Sequence, residues 1–455
     1  MESTHLLTFW QILQPFSQFF RADVVPTFFA ISLAWIGTIR GKRTSNFART
    51  LGPELPSHLA TYYRFFASSK WCLDSMGVLL FCLTLPLMGL ATTIRICIDD
   101  TLLKRRGASI FAASMFRDAV LSSRSHVVTR WGLNWVVLVL AMPHPLFPGQ
   151  FISIPLMTRL FLTKEWCEKT GISYQTPSDL AVDMMRILVS STPDSLHWRL
   201  CGDGSFANKT LLKMELPRVF FTGRMQYNAS IQEPLECRPY RGGRRPIYGL
   251  NYPKPHQMVA CDDYDELTHT VSFRSYQGKE QTREVIDLLG MWKDVSGAKP
   301  LRFVLVKAKG KNEAFYLVTT DLDGPLEEVL HDFISRWCIE VCFFEAKQWM
   351  GVENSQVWCQ QSVSKMPAFG FWLMGLIKVW YLKNHASLDD VRIPTTWYNP
   401  QGCIPFSQML ATLRVSLFKT LLGPNQEQGA LSSLFGLEQD PTKRQEWILR
   451  VFCGC

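Results

Sequence analysis

Apolar residues follow two periodicities along this chain, and the switch between them divides it. Up to about residue 90 they recur at helical spacing. PTFFAISLAWIGTIRG (26–41) stops at Gly41, a short basic segment KRTSNFARTLG (42–52) follows, and PSHLATYYRFFASSKW (56–71) opens on a proline suited to a first turn. Helix, basic turn, short helix and helix is compatible with a DNA-binding helical domain and equally with an ordinary bundle. From Ala91 the alternation becomes that of strands: ATTIRICID (91–99), NWVVLVLAM (134–142), FISIPLM (151–157), HWRLCGDGSF (197–206) and RVFFTGRMQ (218–226). Between the third and fourth, TPSDLAVDMMRILVSS (176–191) reads as a helix capped by Thr176 or Ser178. Three strands in series, then helix and strand in alternation, predict a mixed α/β sheet of five strands with helices on both faces.

The texture changes twice more. Residues 227–323 are β-rich, with THTVSFRSY (268–276), TREVIDLLGMW (282–292) and a hairpin in LRFVLVKAKGKNEAFYLVTTD (301–321) turning at Lys309–Asn312. Helical character resumes at Gly324-Pro325 and is expected to run continuously through 325–350. The predicted organisation is a helical N-terminal region (1–90), a first core part (91–226), a β-rich insertion (227–323), a second core part (324–386) and a C-terminal helical region (387–455).

Composition narrows the class. Of 455 residues 47% are hydrophobic and 19% charged, which excludes a solvated disordered chain. The stretch 75–94 is uncharged and 20 residues long, but Pro86 and Gly89 interrupt it and it runs into Arg95, Asp99 and Asp100, so a buried helix and strand explain it better than a membrane span. The start, Met-Glu-Ser-Thr-His, has no basic lead into an apolar run, and the 13 cysteines contain no CxxC pair; both fit a cytoplasmic protein with reduced thiols. The net charge of +9 has the sign a polyanionic partner needs. Its local clusters matter more: Lys104-Arg105-Arg106 just past the first acids, and Arg238, Arg241, Arg244 and Arg245 in a Gly/Pro-rich loop.

Three acids stand where a sheet delivers side chains to one place. Asp99 is read as the end of the first strand, Asp203 follows the short strand before Gly204, and Glu340 lies in the helix after the insertion. Carboxylates converging from separate elements are what hard divalent cations require, and such cations serve phosphodiester chemistry. On the last helix Phe333, Arg336, Glu340 and Lys347 are 3, 4 and 7 apart and share a face, so cations flank the acid; a salt-bridged stripe has the same spacing. A two-carboxylate glycosidase has no use for those cations, and a membrane protein has none for the acids.

This last spacing resembles the Tyr-(2)-Arg-(3)-Glu-(6)-Lys signature of one large group of bacterial insertion-sequence transposases, with Phe333 in the tyrosine position and its hydroxyl lost. ICIDDT around Asp99 and CGDGSF around Asp203 are similar to that group's two aspartate motifs. The resemblance covers roughly 91–350, and YYRFFASSKW (62–71) is similar to the segment preceding the catalytic fold. It implies an RNase H-like core, Asp99, Asp203 and Glu340 as catalytic metal ligands, and two Mg²⁺ ions, with Mn²⁺ able to substitute. It further implies double-stranded DNA as partner, both transposon ends and target, a homodimer on DNA, and action at the nucleoid. Cut-and-paste transposition would follow, in relatives through a hairpin with a flipped base stacked on an aromatic; Trp292 is the candidate for that stack, a core tryptophan being the alternative. Phe333, Arg336, Lys347, Lys104, Arg105, Arg106, Arg241, Arg244 and Arg245 are the expected DNA contacts, and a catalytically silent DNA-binding relative is the competing class.

Overall fold

A computed structural model describes residues 4–51, 58–89, 91–118, 120–123, 125–234, 248–261, 263–276, 278–310, 313–384 and 404–422. Five helices open the chain: α1 (Thr4–Leu13), α2 (Val25–Gly37), α3 (Thr44–Leu51), α4 (Leu59–Ala67) and α5 (Leu73–Thr84). Strands β1 (Thr93–Lys104), β2 (Ser114–Arg117), β3 (Thr129–Pro143) and β4 (Phe151–Leu160) follow, then helices α6 (Lys164–Thr170) and α7 (Pro177–Ser190), strand β5 (His197–Gly202), the short α8 (Lys209–Leu212) and β6 (Val219–Arg224). The β-rich block contributes β7 (Ile231–Gln232), the short α9 (Pro255–Met258), β8 (Thr268–Arg274), β9 (Glu280–Trp292), β10 (Leu301–Val306) and β11 (Phe315–Thr319). Helices α10 (Leu326–Ser335), α11 (Trp337–Gln348), α12 (Gln360–Asn384) and α13 (Phe406–Leu422) complete it.

The central order is β4-β3-β1-β5-β6. The first three strands are antiparallel, and β1, β5 and β6 are parallel, with α7 carrying the chain from β4 to β5. This is an RNase H-like arrangement. Thr176 starts α7 with a reciprocal capping box to Asp179, satisfying donors a helix end leaves orphaned. The β-rich block continues the same sheet: β11 pairs antiparallel with β6, β10 with β11, and β9 with β10. Pro155 sits on β4, where the register with β3 shifts; β4 is an edge strand, where a missing N–H is tolerated.

Two expectations change. The first strand does not stop at Asp99 but runs five residues further, because the backbone ladder to β3 continues to Lys104 opposite Gly132 regardless of which side chains it carries. The helix expected over 325–350 is broken at Arg336, which separates α10 from α11.

Helices cover both faces. Residues alternate across a strand, so Cys97 and Asp99 face one side of the sheet and Ile98 and Asp100 the other. The Cys97 thiol lies 3.9 Å from the Ser335 hydroxyl and 4.0 Å from the Cys338 thiol, which puts α10 and α11 over the Asp99 side. Phe81 of α5 packs on Trp198 on the opposite side. Helix α12 is apolar all round and buried along most of its length, covering edge strand β4 and meeting α1, α4 and α5. The N-terminal helices, the sheet and α12 thereby share one hydrophobic core. Among the described residues no helix is long and apolar enough to cross a membrane.

One ionic cluster fixes α10 to the sheet. Asp332, 1% exposed, accepts from Arg95 of β1 (3.2 Å), from Arg199 of β5 (2.7 Å) and from the Thr222 hydroxyl of β6 (3.2 Å). Arg199 also donates to Asp321 (2.8 Å), and Arg95 to Glu328. Breaking a buried pair from one side strands the other charges, so Asp332→Ala is expected to cost about 3–5 kcal/mol. Urea denaturation checks this, and a loss below about 1 kcal/mol would show that the cluster carries little of the docking.

Candidate functional site

The site is built where β1, the turn after β5 and α11 meet. Asp99, mid-strand, points at α11: its carboxylate lies 3.9 Å from the Arg336 guanidinium and also accepts from the Asp100 backbone N–H (2.8 Å). Asp100 faces away and accepts from the Asn134 side-chain amide at 2.7 Å. Asp203 directly follows β5, and its carboxylate is held by the Ser205 hydroxyl (2.6 Å) and the backbone N–H groups of Ser205 (2.8 Å) and Phe206 (3.3 Å). Glu340, one turn beyond Arg336, accepts from that guanidinium at 3.0 Å. Arg336 thus spans Asp99 and Glu340.

The electrostatics are those of crowded acids. Burial, and then the negative charge of Asp203, push the Asp99 carboxyl up to about 7; Arg336 opposes the shift without cancelling it. Asp100 is raised as well, by burial first and by Asp203, with the Asn134 hydrogen bond working against both. A group whose charged form is disfavoured by a second carboxylate is one that a divalent cation relieves. The donor chemistry of Asp99 and Asp203 fits such a cation, all of it hard oxygen. Glu340 is engaged by Arg336, and among the described residues no three His, Cys, Asp or Glu side chains stand close enough together to hold a metal ion.

The other expected residues distribute as follows. Phe333 stacks on Phe315 (5.1 Å between ring centroids) with the Arg336 guanidinium 5.9 Å from its ring, so the ring packs and orients. Lys347 donates to the Leu102 carbonyl (2.9 Å) and lies 3.9 Å from Glu353, bracing the end of β1 against the 3₁₀ turn Val352–Asn354. Lys104 is exposed, with Asp118 3.4 Å away, and Arg106 is exposed. Arg105 corrects the expectation: it is buried and donates to the carbonyls of Lys104, Val352 and Glu353, so strand alternation turns it inward as a structural brace. Trp292 is half-buried against the main core opposite Ile231. Arg238, Arg241, Arg244 and Arg245 lie outside the described residues. Sequence reasoning missed Asn134 and Glu353, whose partners come from other strands and helices and leave no local pattern.

An RNase H-like sheet with acids on its central strand and after the neighbouring parallel strand defines the architecture of a metal-dependent nuclease. Residues 31–285, more than half of the chain, match the DDE superfamily endonuclease family, and the chain belongs to it. Enzymes of this family act on DNA and depend on divalent metal ions. The matched segment contains Asp99 and Asp203 and ends before Glu340. No curated protein matches the chain.

The raised Asp99 carboxyl has a consequence for stability. Unfolded, it titrates near 3.8; folded, near 7. Between these values the folded chain holds the extra proton, so stability falls as pH rises through the window and the full penalty stands above about 7. In EDTA at pH 8, Asp99→Asn is expected to melt higher than the unsubstituted chain, the difference shrinking toward pH 4. An equal or lower melting temperature at pH 8 would contradict the buried, repelled carboxylate.

Proposed function

We propose that the chain is a cut-and-paste transposase of the group with the Tyr-Arg-Glu-Lys signature, and that Asp99, Asp203 and Glu340 are its catalytic carboxylates. The observation that carries this reading is the contact chain Asp99–Arg336–Glu340: an acid on the central strand and an acid on α11 converge on one guanidinium, with Asp203 adding its charge to the same spot. A salt-bridged surface stripe does not reach a central strand; here Arg336 is largely buried at the helix break. Two Mg²⁺ ions held by the three acids would supply positive charge to the attacking and leaving oxygens.

The chain's own residues do the rest. Arg336 compensates the acids and, once Glu340 turns to a metal, is free for a phosphate. Phe333 fixes its guanidinium from behind, without the signature hydroxyl. Lys104 and Arg106 offer exposed charge just past β1. In this reading water opens the phosphodiester at the element end, and the freed 3′-hydroxyl attacks the opposite strand, closing a hairpin, or the target. Residues 1–90 contribute DNA binding, and two copies of the chain act together on DNA.

The test uses purified protein with duplex DNA carrying the element ends. Cutting is expected with Mg²⁺ or Mn²⁺ and lost in EDTA. Asp99→Asn, Asp203→Asn and Glu340→Gln should each reduce cutting by at least about a thousandfold, more than 4 kcal/mol of transition-state stabilisation, while DNA binding persists. Asp100→Asn should be milder. Full cutting in EDTA, or an essential Asp100 beside a dispensable Asp99, would defeat the assignment.

Arg336→Ala and Lys347→Ala separate their roles. Arg336→Ala should flatten the salt dependence of DNA binding by about one unit of slope, one phosphate contact. Lys347→Ala should lower the melting temperature as well, since it also releases the Leu102 carbonyl and Glu353. Equal melting losses with unchanged slopes in both would show that the helix face is structural only.

A further inference from the structure

The basic segment between α2 and α3 has no part in the site just described, yet the fold holds it there. Lys42 is buried, and its ammonium donates to the carbonyls of Trp35 and Thr38 at the end of α2. Arg414 of α13 donates to the Ile36 (2.8 Å) and Thr38 (3.3 Å) carbonyls of the same helix end. Gly41 takes a positive φ of 62°, and the Asn46 side-chain amide donates to its carbonyl at 2.7 Å. The turn Arg40-Gly41-Lys42-Arg43 is therefore pinned through its middle. Its two arginines, on either side, are exposed, and neither has an ion-pair partner among the described residues.

The turn is seated on the segment that follows α11. Trp35 donates its indole N–H to the Met350 carbonyl (2.9 Å), and the Lys42 backbone N–H points to the Asn354 side-chain oxygen (3.4 Å). Contact is so close at Gly351 that a Cβ there would stand 2.7 Å from Lys42 Cγ. The same segment, 350–354, is gripped from the other side by the end of β1: Arg105 donates to Val352 and Glu353, and the Lys104 backbone N–H to the Glu353 carboxylate (3.2 Å). One short turn thus joins Arg40 and Arg43 to Lys104 and Arg106. The acids nearby are already engaged, Asp118 facing Lys104 and Glu353 facing Lys347, which leaves Arg40, Arg43 and Arg106 without an ion-pair partner among the described residues.

We propose that Arg40 and Arg43 bind backbone phosphates of the DNA whose scissile bond lies at the Asp99 site. Two guanidiniums mounted on a fixed turn suit a polyanion with closely spaced charges, since the loop is already ordered and only the two side chains remain to be ordered on binding. The buried lysine between them is what a merely solubilising turn does not require. This inference rests on the endonuclease reading and adds to it the surface by which the N-terminal helices meet the substrate.

The experiment measures affinity of the full chain for a duplex of arbitrary sequence, without divalent metal, across a range of NaCl concentrations. The unsubstituted chain is compared with Arg40→Gln/Arg43→Gln and Arg40→Lys/Arg43→Lys, with melting temperatures recorded for all three. The glutamine pair should flatten the slope of log K against log salt by about two units, roughly 0.9 for each phosphate lost, and weaken binding about tenfold or more at low salt. The lysine pair should keep the slope, and melting should not move. An unchanged slope in the glutamine pair, or an equal loss in the lysine pair, overturns the proposal. Mg²⁺-dependent cutting of duplex DNA carrying the element ends is followed in parallel with the unsubstituted chain. Cutting with an unchanged slope removes only the arginine pair; a flattened slope without cutting removes the nuclease reading and leaves the phosphate contacts; absence of DNA binding removes both.

Discussion

Asp332 is the residue on which the geometry of this chain turns. A carboxylate with almost no solvent exposure joins three parallel strands to one helix through Arg95, Arg199 and Thr222. The cost of burying it is offset only because every oxygen is engaged. Its effect reaches the site by position: Arg336, where α10 gives way to α11, is only four residues on, so the place of that break over β1 follows from where Asp332 is bound. The candidate acids come from elements far apart in sequence. An ionic cluster that accepts one arrangement of strands and helix sets their mutual approach more sharply than apolar contact, which tolerates sliding.

Above that cluster the charges are arranged as a standoff. Asp99 and Asp203 repel, and Arg336 answers one of them while holding Glu340. A guanidinium is a delocalised cation of fixed charge and a weaker concentrator of charge than a divalent ion, so it keeps acids near each other without binding them in a tight cage. The guanidinium in this sense holds Asp99 and Glu340 toward one point.

How much of this could be read from the residues depended on whether the signal was local. The β-branched run before Asp99, the Thr176 cap and the 4-residue step from Arg336 to Glu340 all act within one element, and each was legible. The end of β1 was not: two acids look like a strand terminus, yet Asn134 and Arg336 receive them and the ladder runs on. Lys104-Arg105-Arg106 reads as one basic run, but the pleat sends its middle member inward to three carbonyls. Helix α12 went unread because a helix buried on all sides has no polar face to mark its period. Asp332 stands beside the signature and has no sequence pattern of its own, since its partners are 110, 133 and 237 residues away.

The way the first helices close on the last has a consequence for the order of folding. Trp35 bonds to a carbonyl 315 residues later, Arg414 to one 378 residues earlier, and the Trp380 indole to a hydroxyl 372 residues before it. Helices α1 and α2 therefore leave the ribosome with apolar faces whose covers, α12 and α13, are synthesised roughly 300 residues or more later. At roughly 5–20 residues per second, that wait lasts on the order of tens of seconds, during which those faces remain open to chaperones or to other nascent chains. Contacts of such long range slow the final closure further, since the loops must close before the contacts can reward it. The interlocked core that seats the basic turn on the segment after α11 makes these helices late to close.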